Sequence, residues 1–184
     1  MGIVIRPTPA VFRRSMPLVI VFGAYRRFDV DPPLPHGDFE TITRVVGMAR
    51  RLHMPLAFIR NVPQNRRREP GTWLPGCRPK TTDRVFDHPA GAPFLLEGFA
   101  TAFNGLSDGE IYATGPTDDS CLSAAIAAPW GEMRPIRRIL PGVPLHKCST
   151  RDVPADVAFQ LPHQSSDTRS IPLESWERAV CHIQ

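Results

Sequence analysis

Ile111-Tyr-Ala-Thr-Gly-Pro-Thr-Asp-Asp-Ser-Cys-Leu-Ser-Ala-Ala-Ile-Ala-Ala128 is the stretch on which the reading of this chain turns. Its first four residues suit a strand, Gly115 and Pro116 punctuate a tight turn, and an alanine-rich run follows that favours helix. We therefore expect a strand over Ile111–Thr114 and a helix over 121–128, stopped by Pro129 and Gly131. Cys121 stands at the head of that helix. There the unpaired backbone N–H groups and the positive end of the helix dipole favour a thiolate. A nucleophile is one use for such a site. Plain packing is the other, because cysteine is among the most often buried residue types.

The flanking segments give the order of elements. Upstream, Leu18-Val-Ile-Val-Phe22 is a continuous apolar run of the kind buried on both faces of a parallel sheet, and it ends at Gly23. Ile42, Val45, Val46, Ala49 and Leu52 recur at helical spacing, which predicts an amphipathic helix over 40–53. Pro55 then opens a strand, Leu56-Ala-Phe-Ile59, completing a β-α-β unit with a right-handed crossover. Residues 61–82 are polar and rich in Pro and Gly and read as a long surface excursion carrying Trp73. Arg84-Val-Phe-Asp87 suggests a strand ending at His88, and a helix is expected over 94–106. Further on, 136–140 and 143–145 read as strands, 155–161 as a short helix and 175–181 as a final one. Residues 1–15, with Ile3-Val-Ile5, read as an arm or added edge strand.

Strands alternating with helices imply one α/β domain over 1–184: a three-layer, open, mostly parallel sheet with helices on both faces. Ligands of such sheets bind beyond the carboxyl ends of the strands. Gly23, His88 and the turn leading to Cys121 all lie at such ends.

Composition narrows the classes of function. The net charge of +4 rests on arginine, since Lys80 and Lys147 are the only lysines. Its clusters (Arg13-Arg14, Arg26-Arg27, Arg66-Arg67-Arg68) are short and scattered, without the aromatic interleaving of a nucleic-acid platform, so no nucleic-acid partner is expected. Cys77, Cys121, Cys148 and Cys181 show no C-x-x-C spacing, and no apolar run approaches the ~20 residues that span a bilayer. With no signal-peptide pattern either, a soluble cytoplasmic protein without membrane association is the expectation.

Gly115-Pro-Thr-Asp-Asp-Ser-Cys121-Leu resembles the Gly-x-x-Thr-Asp-x-Cys-Val turn of the isochorismatase-like cysteine hydrolases, the superfamily that includes nicotinamidases. The resemblance covers roughly residues 17 to 130. It implies a Rossmann-like fold, a small-molecule substrate, self-association into a homo-oligomer, and catalysis by an aspartate, a lysine and a cysteine. Cys121 matches the nucleophile. The family's Val-Ile-Asp-x-Gln-x-x-Phe pattern places Gly23 at the aspartate, counting back from Phe28. The Lys-x-x-x-Ser-Ala-Phe pattern is matched by His88-Pro-Ala-Gly-Ala-Pro-Phe94, with histidine for lysine. The metal-binding Asp-x-His of nicotinamidases is replaced by Phe58-Ile-Arg-Asn-Val62, so neither metal nor other cofactor is expected.

By the same resemblance, the amides of Thr117 and Cys121 form the oxyanion hole, and a cis peptide falls between Pro116 and Thr117. A thiol of ordinary pKa is only a few per cent ionised at neutral pH, and His88 is the residue that would restore activity as a Cys–His pair. Asp119 matches a family aspartate read as structural. Phe28, Trp73 and Phe94, with Tyr25, are candidates to line the pocket; the small Gly23 would enlarge it, and Arg26 or Arg27 would meet a carboxylate. Two functions follow: a hydrolase of a small amide or related C–N bond through a Cys121 thioester, or a catalytically degraded relative that binds a small molecule or serves as an oligomer subunit.

Overall fold

The computed structural model describes residues 16–26, 33–61, 71–88, 105–127, 134–141 and 170–182, the side chains of Asn61 and His88 excepted. The expected strands at 3–5 and 143–145 and the helices at 94–106 and 155–161 fall wholly or mostly outside them, as do Phe28 and Phe94. Six strands form one sheet in the order β5-β3-β1-β6-β7-β8. These are β1 (Leu18–Val21), β3 (Leu56–Asn61), β5 (Arg84–His88), β6 (Ile111–Thr114), β7 (Ile136–Leu140) and β8 (Ser170–Pro172). Every pairing in it is parallel.

Two apolar clusters account for the three layers. Val19, Val21, Tyr112, Ile139 and Ile171 point to one face, where they meet Ile42, Val45, Val46 and Ala49 of α1 (His36–Arg51). Leu173, Trp176 and Val180 of the last helix, α3 (Leu173–Cys181), join the same cluster. Leu18, Ile20, Ala57, Ile59, Ile111, Ala113 and Ile136 point to the other face and meet Leu122 and Ala125 of α2 (Ser120–Ala127). Strand residues alternate between faces with a period of two, so each buried strand supplies both cores. This is why β1 and β6 read as unbroken apolar runs.

α1 begins four residues earlier than its apolar spacing predicts, at His36 behind Pro35. The reason is that Asp38, one helical turn before Ile42, shares the buried face and is only 2% exposed.

The 61–82 excursion is also only partly at the surface. Thr72–Trp73 forms β4, paired antiparallel with β2 (Tyr25–Arg26) as a separate two-stranded ribbon. Beyond it Leu74 and Cys77 are buried in the α1-side core. Arg50 of α1 holds this segment by donating to the carbonyls of Gly76 and Arg78 and to Asp83. Trp73 is thus an anchor between ribbon and sheet: its ring meets Tyr25 edge-on at 5.1 Å and Phe58 at 5.6 Å.

The strand order fixes where a ligand site belongs. From β1 the chain runs outward through β3 to β5, then returns to the other side of β1 as β6 and continues to β7 and β8. The direction of winding reverses between β1 and β6, and such a reversal opens a crevice at the carboxyl ends of the two strands. Gly23 follows the first of these strands and the Cys121 turn follows the second.

Candidate active site at the β1–β6 switch point

The turn from β6 into α2 is built as a capped helix start. Asp119 is the cap: its Oδ1 accepts the Leu122 N–H at 3.0 Å, and its carbonyl accepts the Ser123 N–H at 3.1 Å. The Asp119 N–H donates back to the Pro116 carbonyl at 3.1 Å, closing the turn. Cys121 is the second helical residue, half-buried, with its side chain against the α2-side core, and it is not part of a disulfide.

Two residues that the sequence reading passed over hold this turn from outside. Asp38, at the start of α1, accepts the Thr117 N–H on Oδ2 at 2.9 Å and the Thr117 hydroxyl on Oδ1 at 2.7 Å. Arg138 of β7 donates to the carbonyls of Pro116 (3.1 Å) and Thr117 (2.9 Å). A carboxylate on one side and a guanidinium on the other therefore fix the direction of the peptide groups flanking Thr117. The signal for Asp38 was present in the sequence, as an acidic residue at i−4 from the first apolar residue of a helix stripe. Arg138 carried no such signal, because an arginine on a strand of sequence Ile-Arg-Arg-Ile-Leu reads as an exposed side chain.

These contacts bear on two expectations. The Thr117 amide, expected in the oxyanion hole with that of Cys121, donates to Asp38 Oδ2. The described residues contain no cis peptide, so the Pro116–Thr117 bond is trans, and a trans bond turns its N–H the opposite way from a cis one.

Gly23 corrects a third. Its φ is +65°, and a Cβ built on it would lie 2.4 Å from Cδ and 2.6 Å from Cγ of Pro116. The missing side chain has not enlarged the crevice. The Pro116 ring has taken the space, and Asp119 Oδ2 stands 3.8 Å from the same point.

On the other side of β1 the ends of β3 and β5 carry a different group. Arg60 and Asp87 are paired across the strands and form a two-pronged ion pair, with N–O distances of 2.6 and 2.5 Å. The hydrogen bond to Asp87 holds the Arg60 guanidinium above its usual pKa, and that guanidinium lies 5.2 Å over the Tyr25 ring. Arg60 occupies the segment where a nicotinamidase carries its metal-binding Asp-x-His, and a guanidinium cannot ligate a cation. Arg60 is therefore not a metal ligand. Tyr25 and Trp73 come together in this group, half-buried and with their rings edge-on to each other. Arg26 is buried, and Arg27 lies outside the described residues.

His88 ends β5, whose backbone is three strands from β6. At about 4.8 Å per strand the two backbones are about 14 Å apart. The sequence places His88 and Cys121 at the same edge of the sheet, and the topology puts β3 and β1 between them.

Comparison with known proteins agrees with this arrangement. No protein-family model and no curated protein sequence matches the chain. Solved structures do. A cysteine hydrolase from Pseudomonas syringae pv. phaseolicola is similar with a TM-score of 0.58 at 12% identity, over 98% of this chain and 88% of that one. A hydrolase of the isochorismatase family from Chromobacterium violaceum gives 0.54 at 18% identity, over 72% and 74%. A protein described as an isochorismatase, from Burkholderia xenovorans, gives 0.53 at 16%, over 69% and 66%. With its parallel six-stranded sheet, helices on both faces and a cysteine-bearing helix at the switch point, the chain has the isochorismatase-like hydrolase fold.

Proposed function

We propose that this protein is a cysteine hydrolase that cleaves a small amide or related C–N bond through a thioester on Cys121. The observation that carries the reading is the position of Cys121, in the first turn of the helix that opens at the β1–β6 switch point, in a fold whose solved examples include a cysteine hydrolase. The thiolate attacks the carbonyl carbon, and the helix-start amides are the donors proposed for the oxyanion. His88, at the end of β5, is the residue proposed as the acid for the leaving nitrogen.

Wild-type and Cys121→Ala protein, offered a panel of small primary and secondary amides with amine release as readout, test this. Turnover that disappears in Cys121→Ala, with a trapped acyl adduct on Cys121 by mass spectrometry, is the expected result. Equal rates for the two proteins on every amide would sink the proposal.

A second reading has its own support. Pro116 lies against Gly23, the position that the resemblance assigns to the family aspartate, and Asp38 accepts the Thr117 N–H; both support a site retained for binding after hydrolysis was lost. On that reading a small ligand protects Cys121 from alkylation while no amide is turned over.

A further inference from the structure

The carboxyl ends of β3 and β5 carry a polar group for which the chemistry at Cys121 has no use. We propose that Arg60 and Tyr25 there form a binding site for the carboxylate of a small molecule. The site is independent of the hydrolase reading, since its ligand binds whether or not Cys121 turns anything over.

Arg60 and Asp87 face each other in register on neighbouring parallel strands. Side chains along a strand alternate between faces, so Arg60 shares the face of Phe58, on the α1 side of the sheet. Asp87 takes one edge of the guanidinium, with Nε at 2.6 Å and Nη2 at 2.5 Å. A guanidinium is flat, and its N–H groups radiate in a fixed plane. With Nε and Nη2 engaged, Nη1 is the outer end, and among the described residues it has no hydrogen-bond partner.

Tyr25 covers one face of the guanidinium, 5.2 Å from its central carbon to the ring centre. The ring is itself held: a Cβ on Gly71 would come 2.7 Å from its Cε1 and 2.9 Å from its Cζ, and Trp73 meets it edge-on at 5.1 Å. Its hydroxyl also has no hydrogen-bond partner among the described residues. Two donors are thus held in place at strand ends, where ligands of open α/β sheets bind.

The ion pair is partly open to solvent, with side chains 32% and 26% exposed, and a pair so placed adds little to stability. What it does is fix direction. The charges of Arg60 and Asp87 nearly cancel, so the ligand is recognised by directed hydrogen bonds rather than by a long-range field. A carboxylate suits two fixed donors, since one oxygen accepts from Arg60 Nη1 and the other from the Tyr25 hydroxyl.

The test titrates isotope-labelled protein with sodium benzoate, with benzyl alcohol as the neutral counterpart and sodium chloride as the ionic control. The readouts are the Arg60 Nε–H resonance, assigned by its loss in Arg60→Lys, and the Trp73 backbone amide. Benzoate is expected to shift both resonances saturably, with a Kd on the order of 1 mM, while benzyl alcohol and chloride do not. Arg60→Lys keeps the charge but loses the planar fork, and Tyr25→Phe keeps the ring and the ion pair but loses the hydroxyl. In each variant, shown by thermal melting to be folded, benzoate affinity read at Trp73 falls about ten-fold or more. A wild-type response to benzoate that stays linear up to about 100 mM, or that chloride or benzyl alcohol reproduces, would overturn the site. Wild-type affinity in either folded variant would overturn it as well.

Discussion

Adding a side chain at residue 23 is the most direct probe of how this site is packed. Gly23→Ala places a Cβ on a backbone with φ of +65°, which costs about 1–2 kcal/mol for a residue other than glycine. The same Cβ falls 2.4 Å from Pro116 Cδ, closer than real Cβ contacts come, and relieving it moves a ring that has no rotamer to escape into. Overpacking of that kind costs about 1–3 kcal/mol. Reduced freedom of the unfolded chain returns about 0.4–1 kcal/mol. The net expectation is a loss of roughly 2–4 kcal/mol, or about 4–16 °C in melting temperature for a chain of this size. Urea denaturation followed by circular dichroism measures it, and a double-mutant cycle with Pro116→Ala isolates the contact. In the Pro116→Ala background only the backbone cost should remain, about 1 kcal/mol after the unfolded-state offset. Gly23→Asp carries the same penalties. An unchanged melting temperature in Gly23→Ala, or an equal cost in both backgrounds, would refute the claim that Pro116 fills this place.

Asp38→Ala removes two hydrogen bonds to a carboxylate and should cost about 3 kcal/mol or more by chemical denaturation; a loss below 1 kcal/mol would mean the turn holds itself. The Tyr112 hydroxyl is pushed up to about 12, first by burial and then by the hydrogen bond it donates to Glu110. Unfolded tyrosine ionises near pH 10, so between about pH 10 and 12 the unfolded chain holds fewer protons and stability falls as pH rises. Tyr112→Phe should flatten that alkaline decline in pH-dependent melts, leaving stability below pH 9 with no comparable slope from this group. Burial raises the Cys77 thiol, so iodoacetamide with peptide mapping should leave Cys77 unmodified in native protein, label exposed Cys181 readily, and reach Cys77 only in urea.

The parallel sheet was legible because burial on both faces leaves a mark that short segments share. Leu18–Val21 and Ile111–Thr114 are wholly apolar or nearly so, and each lies within a residue of its expected bounds. Ile136–Leu140 fell where expected too. What escaped notice was structure too short for any period. Tyr25–Arg26 and Thr72–Trp73 are two residues each, and Ser170–Pro172 is three with a terminal proline. Their existence depends on partners far away in the chain, such as Trp73 seated between Tyr25 and Phe58, and no local pattern encodes that.

The site was legible to the extent that its chemistry is local. A turn followed by a helix announces Cys121, and Asp119 caps that helix two residues before it, so both can be placed from seven consecutive letters. The surroundings are another matter. The glycine at 23 read as an opening, since absent atoms suggest space; only the fold reveals that Pro116, 93 positions later, lies against it. Asp38 lies two residues before the helix that the apolar spacing predicts and drew no reading from the sequence. Its carboxylate is buried and turned to Thr117 across the topological reversal. Both surprises concern the same few atoms of the 116–117 peptide, held by α1, β7 and the end of β1. The Gly23–Pro116 contact and the Asp38–Thr117 hydrogen bonds are therefore linked: with Pro116 against Gly23, the peptide that follows is presented to Asp38. A single substitution at position 23 meets the ring, and a single change at Asp38 leaves the ring in place. Opening space beside residue 23 requires moving Pro116 as well, so these residues have to change together.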